Sequence, residues 1–366
     1  MSNIGIISVI YDRLFQVFNF TNEVQPKKNV VVVGYGWGGR AFCNNIDTKK
    51  YNVTVVSKTP YMLNTPKLKN SIDNQEDNLT LFNKNNKINF IKEECTNIDK
   101  EQNIIKTNSD NIKFDYLVVA VGSEVNDFGV NGVKENCYFL KTMDDLNDLK
   151  KSLESNKYKN NNSPYYGPED LRIVVLGGGP TGIELAFELS KKHKDITIVE
   201  GMKTILPIFS EESVKKVKED LEKNNIKLML DNVVKKIEPT VINTNNNSIP
   251  YDLAIWTCGI KPNSFIKKLT NEKFVVDKHL KFSNNIYAIG DIVASKELGP
   301  PTGQNAKNQG KYLANYFNNN FHGNEYNYEE KGKLIHSKEN IILETKYGVF
   351  RLPNFTNFMF DYMIEN

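Results

Sequence analysis

The segment from Leu171 to Glu200 constrains the fold more than any other part of the chain. It reads LRIVVLGGGPTGIELAFELSKKHKDITIVE. A short apolar strand over 173–176 leads into a glycine-rich turn, an amphipathic helix follows from Pro180 to about Lys192, and a second apolar strand ends on the glutamate. Strand, turn, helix and strand in this order are typical of a nucleotide-binding unit with parallel strands.

The turn of this unit carries three glycines, Gly177, Gly179 and Gly182, at the Gly-x-Gly-x-x-Gly spacing. This spacing lets the backbone turn sharply, approach a pyrophosphate and pack the helix on the strand. Glu200 stands where a carboxylate accepts both ribose hydroxyls of an adenosine, and its charge repels a 2′-phosphate. The pattern predicts a dinucleotide site that prefers NADH to NADPH. The alternative is a glycine-rich turn followed by an ordinary surface glutamate.

A second unit of the same kind begins at Asn29 and reads NVVVVGYGWGGRAFCNNIDTKKYNVTVVS. Gly34, Gly36 and Gly39 repeat the phosphate-turn spacing. A ribose-binding acid is usual at the end of the second strand of such a unit, but this chain has Ser57 there. Its hydroxyl can still form a hydrogen bond with a ribose hydroxyl, although a weaker one. Two such units predict an α/β fold with two Rossmann-like dinucleotide-binding domains. The two domains bind two nucleotides, or one domain binds a nucleotide and the other is a remnant of a nucleotide site.

Composition excludes several other classes of protein. The chain has 366 residues, enough for two or three domains, and a net charge of +3. This near balance of acids and bases gives no support to nucleic-acid binding. The cysteines form no Cys-x-x-Cys pair, so we expect neither a redox dithiol nor a secreted disulfide framework, and we predict no metal site. They are Cys43, Cys95, Cys137 and Cys258.

The nucleotide units are expected to divide the chain into domains. The segment KYKNNNSPYYGPED is rich in Asn, Pro and Gly and marks a linker before the second unit. We predict a leader over 1–28, the first nucleotide domain over 29–145, an inserted second domain over 146–280, the return of the first domain over 281–320, and a C-terminal region over 321–366.

Both ends of the chain carry amphipathic patterns. Each fits a helix on a membrane surface or a helix packed on the protein itself, and both readings stay open. No stretch is long enough to span a bilayer, and the N-terminus lacks the features of a secretory signal. The apolar positions are Ile6, Ile7, Ile10, Leu14, Val17 and Phe18 at one end, and Phe355, Phe358, Met359 and Tyr362 at the other.

Several segments are predicted at the carboxyl edge of the first sheet, where ligands of open α/β sheets bind. The segment PYMLNTPKL is predicted as a loop. Gly122 follows a buried apolar run and allows a cofactor to approach the backbone. Asp291 follows a strand over 286–289 and can hold the ribityl or pyrophosphate region of a flavin. A helix beginning near Thr302 directs its N-terminus at the flavin's pyrimidine edge. Farther on, 332–350 is predicted to form two strands.

These residues also resemble a known family over about 29–311. The chain resembles the type II (alternative, non-proton-pumping) NADH:quinone oxidoreductases, which are two-dinucleotide-binding-domain flavoproteins. Several of the shared segments lie outside the glycine turns and are more specific than the glycines. The segments are VVVGYGWGG, VTVVS, PYMLNTPKL, FDYLVVAVGSEVNDFGVNGVKENCYFLKTMDDL, LGGGPTGIELAFEL, IWTCGIKPN, YAIGD and PPTGQNAKNQG.

The resemblance implies two cofactors and a quinone. NADH binds at Gly177, Gly179, Gly182 and Glu200, and a quinone pocket under the flavin is bordered by Thr65, Pro66 and the helix of Gln304. Glu184 and Gln304 are the candidate catalytic residues. Glu184 lies near the flavin as a candidate for proton handling, or it is an ordinary first-turn acid favoured by the helix dipole. The FAD-binding residues are Gly34, Gly36, Gly39, Ser57, Thr65, Gly122 and Asp291.

The expected activity is FAD-dependent oxidation of NADH with two-electron reduction of a quinone and no proton pumping. The resemblance further implies peripheral contact with a membrane, which would be the mitochondrial inner membrane in a eukaryote; otherwise we expect a cytoplasmic protein. It also allows a homodimer. One alternative is an NAD(P)H oxidoreductase of the apoptosis-inducing-factor type that acts on quinone or oxygen. Another is a non-catalytic sensor that binds FAD and NADH.

Departures from the family pattern concern the quinone side. Members often carry Ala-Gln and a second Gln one turn later, whereas this chain has Gly303, Gln304 and then Asn308. Asn64 and Lys67 stand where apolar residues are common. The C-terminal region also lacks the usual anchor containing tryptophan. These departures leave the identity of the quinone and the docking to a membrane open.

Overall fold

The structure is a computed structural model. It describes residues 26–72, 79–82, 85–154, 171–268 and 274–354. Both predicted terminal helices, and the predicted linker over 157–170, lie outside the described residues.

The strands of the described part are short, and most of them are rich in Val and Ile, as β propensity favours. They are β1 (Lys28–Val33), β2 (Tyr51–Val56), β3 (Tyr61–Leu63), β4 (Thr80–Phe82), β5 (Ile88–Ile91), β6 (Asn97–Asp99), β7 (Ile104–Lys106), β8 (Asn111–Lys113), β9 (Tyr116–Val119), β10 (Ser123–Val125), β11 (Arg172–Leu176), β12 (Asp195–Val199), β13 (Lys227–Met229), β14 (Val234–Glu238), β15 (Val241–Thr244), β16 (Ser248–Pro250), β17 (Leu253–Trp256), β18 (Ile260–Pro262), β19 (Lys281–Ser283), β20 (Ile286–Ala288), β21 (Lys333–His336), β22 (Asn340–Thr345) and β23 (Gly348–Pro353).

The α-helices of the described part are amphipathic or cover a sheet. They are α1 (Trp37–Asn45), α2 (Val133–Asn136), α3 (Met143–Glu154), α4 (Pro180–Leu189), α5 (Glu211–Lys223) and α6 (Gly303–Asn318).

The first sheet has the strand order β19-β20-β9-β1-β2-β5 and is parallel except for β19. Its centre is β1, where Val30, Val31, Val32 and Val33 are buried. Continuous burial is expected for a parallel strand with helices on both faces of its sheet. The chain runs from β1 outward through β2 to β5 and then returns to the other side of β1 at β9. The strand order therefore reverses at β1, which is where open α/β sheets bind ligands.

The second sheet is parallel throughout and has the order β13-β12-β11-β17. The order reverses at β11, which again places a ligand-binding edge at the end of the strand before the glycine turn. Helix α4 covers this sheet with Ile183, Leu185 and Phe187, which are buried in its core. The predicted α/β fold with two Rossmann-like units is confirmed.

Two helices of the first unit pack with their backbones in contact. A Cβ atom built on Gly310 of α6 would overlap the carbonyl oxygen of Gly38 in α1. Since α1 begins at the first glycine turn, this contact holds the middle of α6 against the start of α1. Phe317, near the end of α6, is fully buried among aromatic rings of the first sheet, with centroid distances of 5.4 Å to Tyr116 and 5.0 Å to Tyr287.

Small antiparallel elements complete the fold. Strands β10 and β18 pair as a two-stranded ribbon. The remaining sheets are β14-β15-β16, β21-β22-β23, β6-β7-β8 and β3-β4. The β21-β22-β23 sheet contacts the second unit, because the backbone N–H of Ser210 donates to Glu344 at 2.9 Å.

The structure corrects three predictions of secondary structure. The segment PYMLNTPKL contains strand β3 and a 3₁₀ turn over Thr65–Lys67, because Met62 is buried and pairs with Leu81. This strand is too short for periodicity to show it. The region 332–350 begins three strands instead of two. Helix α4 ends at Leu189 and not at Lys192, because the N–H groups of the last residues bond in turns.

Candidate active site

A cavity of about 940 Å³ lies where the carboxyl ends of β1 and β11 face each other. Both glycine turns open onto it, since Gly34 and Gly36 line one part and Gly177 and Gly179 line another. Its volume is at the upper end of the range for small-molecule sites. The two turns predicted from sequence are therefore brought together in one space.

The middle glycine of each turn leaves this space open. Gly36 is the N-cap of α1 and Gly179 the N-cap of α4, and neither helix has a side-chain cap. A Cβ atom added at either glycine would meet no protein atom within 4 Å. The first N–H groups of both helices are thus available to an anion in the cavity, which is how helix N-termini bind phosphates.

The third glycine of each turn has a different role. A Cβ atom on Gly39 would overlap the carbonyl oxygen of Gly34, and one on Gly182 would overlap that of Gly177. Neither residue is among those that line the cavity. They allow each helix to approach its strand closely.

Four more of the residues predicted to bind FAD line the cavity, namely Ser57, Thr65, Gly122 and Asp291. Ser57 follows β2, and its backbone N–H donates to the carbonyl of Ile91 at 3.1 Å. Gly122 has a φ of +67° and open space at its Cβ position, as a close approach to a ligand requires.

Glu200 is fixed at the edge of the cavity by two backbone hydrogen bonds. Its Oε2 accepts from the N–H of Gly178 at 2.6 Å, and its Oε1 accepts from that of Met202 at 2.7 Å. Each carboxylate oxygen retains further acceptor capacity. The side chain is therefore oriented in advance to accept hydroxyl groups of a ligand.

Glu184 lies in α4 between the large cavity and a second cavity of about 230 Å³. Its Oε2 is 2.7 Å from Lys69 Nζ, and its Oε1 is 2.8 Å from His336 Nδ1. Burial acts to raise the pKa of Glu184, but the charge of Lys69 and the hydrogen bond and charge of His336 outweigh it and lower the pKa to about 2. The reading of Glu184 as a first-turn acid is wrong, since it lies beyond the first turn of α4.

Gln304 is placed differently from the other predicted residues. Its side chain is exposed and donates from Nε2 to Oδ1 of Asn308 at 3.0 Å, and it is not among the residues that line the cavity. Gly303, next to it, does line the cavity. Gln309 is buried, and its Oε1 accepts the backbone N–H of Gly290 at 2.7 Å.

Sequence reasoning missed several charged residues of the cavity. Glu93 and Glu94 follow β5 and line the cavity beside Ser57, and Glu94 is 3.1 Å from Lys58. Two acids within three residues of the end of β5 were a usable signal, because the carboxyl ends of parallel strands meet at one edge. Lys141 also lines the cavity, and no local pattern indicated it.

The residues present fit a flavin dinucleotide. The turn at Gly36 offers the uncapped N-terminus of α1, which can bind a phosphate, and Trp37 in the next position lines the cavity. The Nε1 of Trp37 is a buried donor with no hydrogen-bond partner in the described part of the chain. Ser57 and Asp291 add hydroxyl and carboxylate groups that can bind a sugar or ribityl chain.

Comparison with known proteins decides the family. The model for pyridine nucleotide-disulphide oxidoreductases matches residues 28–310. The chain belongs to the pyridine nucleotide-disulphide oxidoreductase family. In this member of the pyridine nucleotide-disulphide oxidoreductases all four cysteines are free, and none pairs as a redox disulfide.

Curated relatives narrow the comparison within this family. The chain is 28% identical to the mitochondrial external alternative NADH-ubiquinone oxidoreductase of Yarrowia lipolytica, over 87% of this chain and 64% of that protein. It is 30% identical to a probable NADH dehydrogenase of Dictyostelium discoideum, over 81% of this chain and 75% of that protein. The resemblance to type II NADH:quinone oxidoreductases is confirmed. The chain spans 64% and 63% of the first two relatives it matches.

Solved structures show the same fold. NDH2 of Plasmodium falciparum, solved in complex with NADH, matches with a TM-score of 0.78 at 24% identity, over 92% of this chain and 94% of that one. The sulfide:quinone oxidoreductase of Aquifex aeolicus matches with a TM-score of 0.74 at 20% identity, over 92% and 90%. At these identities the likeness concerns the fold of the pyridine nucleotide-disulphide oxidoreductases.

The two kinds of turn glycine should respond differently to substitution. Gly36→Val should change the free energy of unfolding of the apoprotein by less than about 1 kcal/mol, because its side chain enters open space, yet FAD should no longer be retained. Gly39→Ala should destabilise the apoprotein by about 1–3 kcal/mol through steric overlap. Denaturant unfolding and the flavin absorbance of the purified variants measure both effects. A yellow, flavin-loaded Gly36→Val protein would contradict the assignment.

The buried ion pairs of Glu184 should make stability depend on pH. The folded pKa of about 2 lies below the usual 4.5, so the stabilisation is present above pH 4.5 and is lost as the pH falls toward 2. Glu184→Gln should therefore cost about 3 kcal/mol at pH 7, and less as the solution is acidified through this range. Unfolding curves of the wild-type and Glu184→Gln proteins at several pH values measure the difference in their free energies of unfolding.

Glu188→Gln provides the control for this prediction. Glu188 lies one turn along α4, and its partner Lys191 is 44% exposed, so this pair should contribute little. A stability gap for Glu184→Gln that stays constant between pH 7 and pH 3 would show that the charge of Glu184 does not stabilise the fold.

Proposed function

We propose that the protein is an FAD-dependent NADH:quinone oxidoreductase. The observation that carries this proposal is the single cavity onto which two uncapped helix N-termini open, one at Gly36 and one at Gly179. Two dinucleotides bound at these turns would share one space, as hydride transfer between them requires. The names of the relatives support the choice of NADH and ubiquinone over other substrates of the family.

In this proposal the first sheet with α1 and α6 binds FAD, and the second sheet with α4 binds NADH. Gly34, Gly36, Ser57, Thr65, Gly122 and Asp291 form the FAD side with Gly39 as support, and the domain limits are those predicted from sequence. Gly177, Gly179 and Glu200 form the NADH side, and Gly182 supports it. Glu200 orients the adenosine ribose and repels a 2′-phosphate, which favours NADH.

FAD bound at the first turn would supply the two-electron chemistry between NADH and the quinone. The residues of the chain hold the reactants together, and such orientation lowers the barrier by several kcal/mol. Glu184 is ionised at neutral pH because its pKa is about 2. Its carboxylate contacts Nζ of Lys69 and Nδ1 of His336, which line the second cavity, and Glu184 itself also lines the large one.

The quinone is proposed to bind near Thr65, Pro66 and the start of α6. Thr65 and Pro66 line the cavity, whereas Gln304 projects from the exposed face of α6. The outward position of Gln304 is consistent with a quinone that approaches from outside the cavity and meets the flavin at its wall.

An anaerobic absorbance experiment tests the proposed reaction. The full chain loaded with FAD should lose its flavin absorbance on addition of NADH and regain it on addition of a short-chain ubiquinone. Gly179→Val should retain flavin but should not be bleached, because only the NADH turn is blocked. If NADH leaves the wild-type absorbance unchanged, the proposed NADH site is wrong. If NADH bleaches the flavin absorbance but the ubiquinone does not restore it, the proposed acceptor is wrong.

We further propose that the protein docks on a membrane surface, in mitochondria if its source is eukaryotic. The support is the mitochondrial location named for these relatives and the amphipathic patterns at both chain ends. No helix of the described residues is long and apolar enough to cross a bilayer. The full chain should float with liposomes of mitochondrial lipid composition, and a chain ending at Pro353 should float less. If neither floats, docking is excluded.

A homodimer is also proposed, on the family resemblance alone. The mass of the flavin-loaded chain measured by light scattering tests it, and a monomeric mass at micromolar concentration would exclude a stable dimer.

A further inference from the structure

Three polar side chains, of which one lies far from the other two in sequence, form a hydrogen-bonded row in the wall of the large cavity. Nζ of Lys141 lies 2.9 Å from Oγ of Ser123, and this Oγ lies 2.6 Å from Oδ2 of Asp291. All three residues line the cavity and are partly buried. Asp291 was predicted from sequence, but the other two were not.

The chemistry of the three groups fixes the direction of both hydrogen bonds. A lysine ammonium group has donors and no acceptor, so Ser123 Oγ accepts from it. The hydroxyl hydrogen is then left to donate to the carboxylate of Asp291. A separation of 2.6 Å is within the range of charge-assisted O–H···O⁻ bonds, which are about twice as strong as neutral ones.

The charges at the two ends of the row support each other. Burial lowers the pKa of Lys141, and the negative charge of Asp291 acts in the opposite direction. The carboxylate therefore favours the charged lysine on which the direction of the row depends. Removal of either end would leave the Ser123 hydroxyl free to rotate.

The row occupies one oxygen of Asp291 and leaves the other. Within the described part of the chain Ser123 is the side-chain donor to Asp291, and it bonds to Oδ2. Oδ1 keeps its lone pairs for a ligand in the cavity. A carboxylate whose rotamer is already fixed binds a hydroxyl group without a further ordering cost.

The same row connects the two nucleotide units. Asp291 follows β20 of the first sheet. Ser123 is the first residue of β10, which pairs with β18 to form the two-stranded ribbon. Lys141 precedes α3, whose Leu146 and Leu149 are buried in the core of the second sheet. The position of the Asp291 carboxylate is thus set by groups anchored outside the first sheet.

We propose that Ser123 and Lys141 are positioning residues that hold the carboxylate of Asp291 toward the bound flavin dinucleotide. Lys141 orients the Ser123 hydroxyl, and this hydroxyl orients Asp291, so both residues act on FAD through Asp291. The inference rests on the proposed function, because it takes FAD as the ligand of the first turn.

The affinity of the apoprotein for FAD tests this role. Ser123→Ala should weaken FAD binding about tenfold, which is the size expected for loss of a hydrogen bond to a charged group. Ser123→Thr keeps the hydroxyl and should bind within about twofold of wild type. Titration of flavin fluorescence gives the dissociation constants, and circular dichroism of each apoprotein reports whether it is folded.

A double-mutant cycle separates positioning from a general structural role. In an Asp291→Ala background, Ser123→Ala should weaken FAD binding by less than about twofold, because the group through which it acts is absent. A general structural role would produce the same tenfold loss in both backgrounds, and that result would overturn the inference.

Lysine substitutions supply the matched control. Lys141→Met should weaken FAD binding several-fold. Lys261→Met, on strand β18 of the same ribbon, should leave it unchanged, because Lys261 is 42% exposed and lies 3.6 Å from Glu124. If Ser123→Ala does not fold, the comparison of Lys141→Met with Lys261→Met decides, and equal FAD affinities of these two proteins would overturn the inference.

The outcomes distinguish this inference from the function on which it rests. Wild-type protein that binds FAD with the same affinity as Ser123→Ala overturns the role of Ser123 and leaves the proposed function standing. Wild-type apoprotein that does not bind FAD at all overturns the proposed function and this inference with it.

Discussion

The close packing of a helix against its strand at each glycine turn is the contact on which the site depends. Gly39 lies against the carbonyl of Gly34, and Gly182 lies against that of Gly177, with no room for a side chain in either place. This packing aims the N-termini of α1 and α4 at the carboxyl ends of β1 and β11. A methyl group at either position would push the helix away and turn its free N–H groups out of line with a ligand.

The arrangement of the two units then makes one site from two turns. The strand order reverses at β1 in one sheet and at β11 in the other, so each sheet offers its ligand-binding edge at the same point as its glycine turn. Strand β10 follows the first sheet and pairs with β18, which follows the second. Ser123 of this ribbon is hydrogen-bonded both to Lys141 and to Asp291. Because both turns line one cavity, ligands bound at the two turns would share one space.

The sequence predicted those parts of the site that depend on local pattern. The glycine spacings and the buried strands before them are read within about 30 residues, and the structure places Gly36, Gly179 and Glu200 at the cavity as expected. The partners of Glu184 could not be predicted in this way, since Lys69 is 115 residues away and His336 is 152 residues away in the chain. Such pairs arise from packing between elements. Strand β3 was missed for another reason, because three residues contain too little of a period to show alternation.

The central claim is that a nicotinamide and a flavin lie against each other in this cavity, and long-wavelength absorbance tests it most directly. NAD⁺ added to the fully reduced, FAD-loaded protein should produce a broad charge-transfer band beyond the flavin absorbance, since such a band requires the two rings to be stacked. The band should saturate at one NAD⁺ per FAD. Binding of NAD⁺ that is detected by calorimetry but produces no charge-transfer band would contradict the claim, because the two ligands would then occupy separate places.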